Sequence, residues 1–296
     1  MNEFERRTLL GAAGLGAIAA MSKAGPLNPP AGPVASTGRT LDDIYNKIAT
    51  PPVAGAPGSP GVLSDGRILL AGGTQPLTIT QSGSYVLASN VQTNDAATPA
   101  ISISGGLVTL DLNGCSVANL GGPSITAAGR GSRVRNGTAA GAVGISLQQM
   151  DDSVIEDVTF LLCARSALEG AARRIAVRRC HFLSTTGLGW PGGLGGAGSS
   201  GATAVQITGD LNSVHDCTVQ GTSPTNDPQG LTTYGIRLIG NGSSIAGNRV
   251  CTLPSVTGTG IRMDGTGSYR DNTVQGYSVA FGIFGGTNGG GNVAVL

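Results

Sequence analysis

The chain has 296 residues, a net charge of +1, 12% charged residues, 40% apolar residues and 50 glycines. Charge this sparse and balanced gives no basis for a nucleic-acid partner or a polybasic membrane patch. Aromatic residues make up 4%, so the apolar content is aliphatic, and the glycines imply many turns around a slim core.

In chain order, residues 1–24 come first. Arg6-Arg7 precede an apolar run from Leu9 to Met21, and Ser22-Lys23-Ala24 offers a small-x-small cleavage site. The run is too short to span a bilayer and reads as an export signal. The arginine pair resembles the bacterial twin-arginine signal, with Leu9-Leu10 where Phe-Leu is usual. A general secretory signal and an uncleaved lipid-facing segment are the alternatives. The expectation is an exported bacterial protein, periplasmic, cell-surface or extracellular, with no membrane span in its mature form.

Residues 25–60 read as a Pro/Gly/Ala-rich linker holding a short helix at 41–49. Thr40 stands at the N-cap with Asp43 three residues on. Leu41, Ile44, Tyr45 and Ile48 share one face, and Pro51 ends the helix. This helix either covers the start of the following domain or serves oligomerisation. "RILLAGG", from Arg67, is the expected first strand.

From there a pattern recurs. "AISISGGLVTLDLNGCSV" begins at Ala100, "VGISLQQMDDSVIEDVTF" at Val143, "AVQITGDLNSVHDCTV" at Ala204, "YGIRLIGNGSSIAGNRV" at Tyr234 and "GIRMDGTGSYRDNTV" at Gly260. One apolar column reads Ile101, Ile125, Ile145, Leu168, Val205, Ile236, Ile261, Ile283. A second reads Cys115, Asn136, Val158, Cys180, Cys217, Asn248, Asn272, Asn292. Two residues further on stand Val117, Thr138, Phe160, Phe182, Val219, Val250 and Val274, with Val293 or Ala294 in the last coil. Repeats of about 20–25 residues mean a solenoid. No leucine-rich-repeat pattern and no helix-length period is present. Short alternating strands with Gly and Asn at the corners predict an all-β fold, a right-handed parallel β-helix over residues 61–296 with about eight or nine coils. The insertions at 184–201 and 221–233 follow the same strand of consecutive coils and should emerge side by side.

The five cysteines, Cys115, Cys163, Cys180, Cys217 and Cys251, leave at least one unpaired in a monomer. Their spacing fits no zinc site. Three fall in the asparagine column and read as small residues filling a corner; a Cys180–Cys217 bridge is compatible with the spacing and not required by it.

"LTITQSGSYVLASNV" followed by "AISISGGLVTLDLNG" resembles the opening rungs of secreted bacterial right-handed β-helix proteins of the pectate-lyase-like superfamily. The resemblance covers roughly residues 75–296. It implies the fold and leaves the reaction open. Polygalacturonase-type glycosidases of that group place paired aspartates at a coil corner, as Asp151-Asp152 stand here, but the Gly-His-Gly and Arg-Ile-Lys motifs are missing. Pectate lyases use a basic residue and calcium-binding carboxylates on one face. Arg237 and Arg262, on one outward column with Asp264 nearby, are the candidates for that role, without an Arg-x-Pro-x-x-Arg signature.

The remaining candidates come from position. Trp190, the one tryptophan, lies in the first long loop and either stacks on a sugar ring or anchors the loop. Arg178 and Tyr234 are candidate substrate-binding residues. Glu156 and Arg178 should form a pair across adjacent rungs. His215, beside Arg178, is either a general base or a surface residue.

The function expected from this reading is carbohydrate binding or a surface-structural role, using the loop face at 184–201 and 221–233. The alternative is a polysaccharide lyase or glycoside hydrolase on an acidic polysaccharide, with Asp151, Asp152, Arg237, Arg262 and His215 as catalytic candidates. The partner is a polysaccharide or cell-surface glycan, and an oligomer through 41–49 is a further option. No metal site or cofactor is expected, except Ca2+ under the lyase alternative.

Overall fold

The computed structural model of the chain describes residues 61–185, 202–222 and 233–295. The helix expected at 41–49, the export signal and Trp190 lie outside the described residues. Among the described residues there are strands and no helices.

The strands form three parallel ladders, so the chain winds as a parallel β-helix. In the first ladder, Leu77, Ile101, Ile125, Ile145, Leu168, Val205, Ile236, Ile261 and Phe281 stack in register. Among the described residues nine rungs therefore build this face, each about 4.8 Å from the next. In the second ladder the inward column reads Tyr85, Leu110, Val134, Ile155, Val177, Val214, Ile245 and Tyr269. In the third it reads Val91, Val117, Ala139, Phe160, Phe182, Val219, Val250, Val274 and Ala294.

This explains the aliphatic composition. Each inward side chain packs on its copies in the coils above and below, and these columns are buried almost throughout. Phe160 and Phe182, on adjacent coils, stack with ring centroids 4.6 Å apart and planes 6° from parallel. An antiparallel pair, Gly61–Val62 with Ile68–Leu70, precedes the first parallel rungs.

Three column assignments shift. Phe281, not Ile283, lies opposite Ile261, while Ile283 lies opposite Met263. Both positions are apolar and share a strand face, so the pattern alone did not separate them. Gly137, not Asn136, lies opposite Val158, and Ala139, not Thr138, lies opposite Val117. The cause is the corner: Asn136, Asp157, Arg179, Asp216, Gly247, Asp271 and Gly291 all have positive φ, from 51° to 69°. Each coil spends one left-handed residue there, and asparagine takes that conformation readily. Asn136 belongs to this turn column, one place before the ladder.

The asparagine column itself is a hydrogen-bonded ladder. The backbone N–H of Asn248 donates to Asn272 Oδ1 at 3.0 Å, and that of Asn272 to Asn292 Oδ1 at 3.1 Å. The Nδ2 groups of Asn248 and Asn272 donate to the carbonyls of Val214 and Ile245. Cys217, next in the column, gives its N–H to Asn248 Oδ1 at 2.9 Å. Cys180 and Cys217 are buried and, with the other three cysteines, free thiols.

Candidate functional site

The outward column of the first ladder runs Thr78, Ser102, Thr126, Ser146, Glu169, Gln206, Arg237, Arg262, Gly282. Polar side chains thus follow one another over eight consecutive rungs. Glu169 in the middle of the column is paired with Arg165, and the later coils carry Arg237 and Arg262.

There an added Cβ at Gly235 would meet Val250 Cγ1 in the core at 2.4 Å. Gly235 therefore faces inward, and Tyr234 before it turns out beneath the arginines. The guanidinium of Arg237 lies 4.8 Å from the centroid of the Tyr234 ring, and that of Arg262 lies 5.5 Å from it. Arg262 Nη1 donates to the Tyr234 hydroxyl at 3.3 Å. The tyrosine is 7% exposed, so it floors the site.

Asp264 joins the two arginines. Arg237 Nε donates to its Oδ2 at 2.9 Å, and Arg262 Nε to its Oδ1 at 2.8 Å. Arg237 Nη1 also reaches Gln206 Oε1 at 3.5 Å. Phe284, opposite Asp264 on the next coil, is 60% exposed and has its ring centroid 5.1 Å from the Arg262 guanidinium. One carboxylate between two guanidiniums leaves this patch a net positive charge and spare N–H donors. Two cationic forks, an aromatic floor and an exposed ring suit a carboxylate attached to a sugar.

The second ladder's outward column places Asp111, Arg135, Glu156, Arg178, His215, Ala246 and Arg270 in succession. Glu156, 5% exposed, is held by Arg178 and Arg179 at 2.7 and 3.0 Å, with Arg133 at 3.4 Å. Burial alone would raise its carboxyl, but the three guanidiniums outweigh that and keep it below the ordinary value. Arg178 is therefore committed to an ion pair, as the sequence pattern anticipated. His215 is half-buried, with Nε2 3.0 Å from Ser244 Oγ. Desolvation lowers its pKa, Asp216 acts against that, and Arg270 lowers it further.

Asp151 and Asp152 stand at the corner before this ladder. Asp151 Oδ1 accepts the backbone N–H of Arg173 at 2.8 Å. Asp152 has φ 54° and bonds to Arg174 and Arg130 on the coils either side. The Arg174 hydrogen bond is the main reason its carboxyl sits well below the carboxylate range.

The candidates thus divide into three places. Arg237, Arg262 and Tyr234 meet on the first ladder, Arg178 and His215 are neighbours on the second, and Asp151-Asp152 hold a corner. Gln206 and Phe284 were not singled out from the sequence; the signal for Gln206 was its place in the column that leads to Arg237. Among the described residues no group of three His, Cys, Asp or Glu side chains could hold a metal ion. The calcium carboxylates that the pectate-lyase resemblance implies have no fit on the first ladder, where both oxygens of Asp264 already accept from arginine.

No protein-family model matches the chain, and no curated protein matches it. Among solved structures the chain is similar to an alginate lyase from Paenibacillus sp. str. FPU-7, at 14% identity and a TM-score of 0.35, over 74% of this chain and 98% of that one. So loose a superposition bears on neither activity nor substrate. The parallel β-helix rests on the strand register given above.

Proposed function

We propose that the protein binds an acidic polysaccharide along the outer face of the first ladder, with Arg237 and Arg262 as the carboxylate-binding pair. The observation that carries this is the shared Asp264: two guanidiniums on consecutive coils, one counter-charge, and donors left over. The polar column from Thr78 to Gln206 extends the face for a long ligand, and Phe284 offers a ring for stacking. The loops at 184–201 and 221–233 are proposed to border this face, because the strands Thr203–Thr208 and Thr233–Ile239 at their ends belong to the first ladder. Trp190 is proposed to add a second stacking surface.

A second reading is β-elimination, by which a polysaccharide lyase cleaves beside a uronate carboxylate. The observation favouring it is the Tyr234 hydroxyl at Arg262 Nη1, a proton-transfer group next to the position where the carboxylate would be neutralised. A hydrolase, which needs two carboxyl groups facing the scissile bond, has less support, because Asp264, Asp151 and Asp152 are each already bound.

The test uses the full chain against a polyuronate and its carboxyl-reduced neutral form, followed by affinity-gel retardation and by unsaturated-uronate absorbance. Retardation by the polyuronate, lost in Arg237→Gln, supports binding. New absorbance lost in Tyr234→Phe makes the protein a lyase. No retardation and no absorbance with either polymer would overturn the carbohydrate reading and leave a surface-structural role.

A further inference from the structure

The second ladder carries a separate constellation. Ser244 is half-buried, and its Oγ lies 3.0 Å from His215 Nε2, two side chains 29 residues apart brought together by one coil of height. On the outward column, His215 is followed by Ala246 and then by Arg270. Ala246 puts only a methyl group between the imidazole on one side of its rung and the guanidinium on the other, with Ser244 two residues before it on the same strand. Arg270 is exposed and pairs only loosely, through Nη1 to Asp271 Oδ2 at 3.2 Å, with the aspartate exposed as well.

We propose that Ser244 and His215 form a nucleophile–base pair that hydrolyses small acyl esters, with Arg270 stabilising the oxyanion. With Nδ1 carrying the imidazole proton, Nε2 accepts the Ser244 hydroxyl proton. Ser244 Oγ attacks the ester carbonyl carbon over Ala246, and negative charge gathers on the carbonyl oxygen beside Arg270. The C–O bond to the alcohol then breaks, and the alcohol leaves with the proton from His215. Water, deprotonated by the same imidazole, releases the acyl group as a carboxylic acid and restores Ser244. The overall change is ester plus water to alcohol plus acid. Burial keeps His215 neutral near pH 7, as a base must be. Asp216 is the carboxylate whose charge acts on the ring. The small side chain at Ala246 suits a short acyl group such as acetyl, on any alcohol that can lie along the sheet. This site is independent of the arginine pair on the first ladder.

The test treats the full chain with a fluorophosphonate probe and with p-nitrophenyl acetate. The expected result is covalent labelling at Ser244, located by peptide mass spectrometry, and ester turnover. Ser244→Ala should abolish the labelling, and His215→Asn should lower turnover by about 10²-fold or more. Ser213→Ala, at the register partner of Ser244 with no histidine bond, should label and turn over as the parent does. Circular-dichroism melts check that each variant keeps the fold, and Ser244→Cys, which keeps a nucleophile in place, should take a thiol-directed probe faster than Ser244→Cys combined with His215→Asn. Absence of probe at Ser244 in the folded parent, or labelling indifferent to His215→Asn, would overturn the proposal.

Discussion

Arg237 and Arg262 are register partners on consecutive coils, yet both guanidiniums turn to the single carboxylate of Asp264. Like charges facing each other across a rung are destabilising. Asp264 offsets that repulsion and leaves one positive charge for a ligand. Asp264→Asn should therefore separate stability from binding. The melting temperature should fall, by an amount corresponding to about 0.2–1 kcal/mol for the lost cross-strand pair, while the affinity for a polyuronate rises. Thermal melts and titration calorimetry on one preparation check both directions.

The asparagine ladder makes a prediction about stability alone. Asn272 Oδ1 accepts from both the N–H and the Nδ2 of Asn248. Asn272→Leu leaves the buried backbone N–H of Asn248 without a partner, at about 1–3 kcal/mol, and takes one of the two acceptors from its Nδ2, which keeps the Val214 carbonyl. Cys217→Asn should act the other way. Its amide would continue the column, and one added hydrogen bond contributes about 0.5–1.5 kcal/mol. Denaturant unfolding should move the midpoint down for the first and up for the second.

Glu156 and His215 both contribute to the acid side of the stability profile, and the lowered carboxyls of Asp111, Asp152 and Asp157 add to it at lower pH. Glu156 has a lowered carboxyl in the folded chain, so the unfolded chain binds its proton first as pH falls. Its contribution is present above about pH 4.3 and is lost below it. His215 has a lowered imidazole, with Arg178, Arg270 and Asp216 around it. Its neutral form favours the fold above about pH 6.5, and stability falls as pH drops through and below that value. Melting temperature against pH should show both slopes. His215→Gln should flatten the one between about pH 7 and 5, and Glu156→Gln should reduce the one below, leaving the part due to the aspartates.

Core packing gives a further check. Gly144 lies against Phe160, with an added Cβ 2.6 Å from Cδ1. Gly144→Ala should cost about 1–3 kcal/mol by overpacking, and Phe182→Ala about 3–5 kcal/mol by opening a cavity beneath the ring stack. Chemical denaturation reads both.

The coil period was legible because a solenoid repeats its core: Ile236 and Ile261 look alike because each packs on the other. The corners were less so. Asparagine serves both the left-handed turn at Asn136 and the amide ladder at Asn248, and composition does not tell these jobs apart. Arg237 and Arg262 could be read as neighbours from the matching "GIR" at the head of their strands. The roles of Asp264, Gln206 and Phe284 could not, because they depend on side chains reaching across rungs. The same holds for Ser244 under His215. The Glu156–Arg178 pair was foreseen from column position, while Arg133 and Arg179 join it diagonally and from a left-handed corner.

The central claim is that the first ladder's arginine pair recognises polymer carboxylates. The most direct measurement compares polyuronate affinity at several salt concentrations for the parent, Arg237→Gln/Arg262→Gln and Arg178→Gln. The double variant should lose binding and most of the salt dependence, while Arg178→Gln, which lies on the second ladder and is ion-paired with Glu156, should bind as the parent does. Equal loss in both variants, or undiminished binding by the double variant, would contradict it.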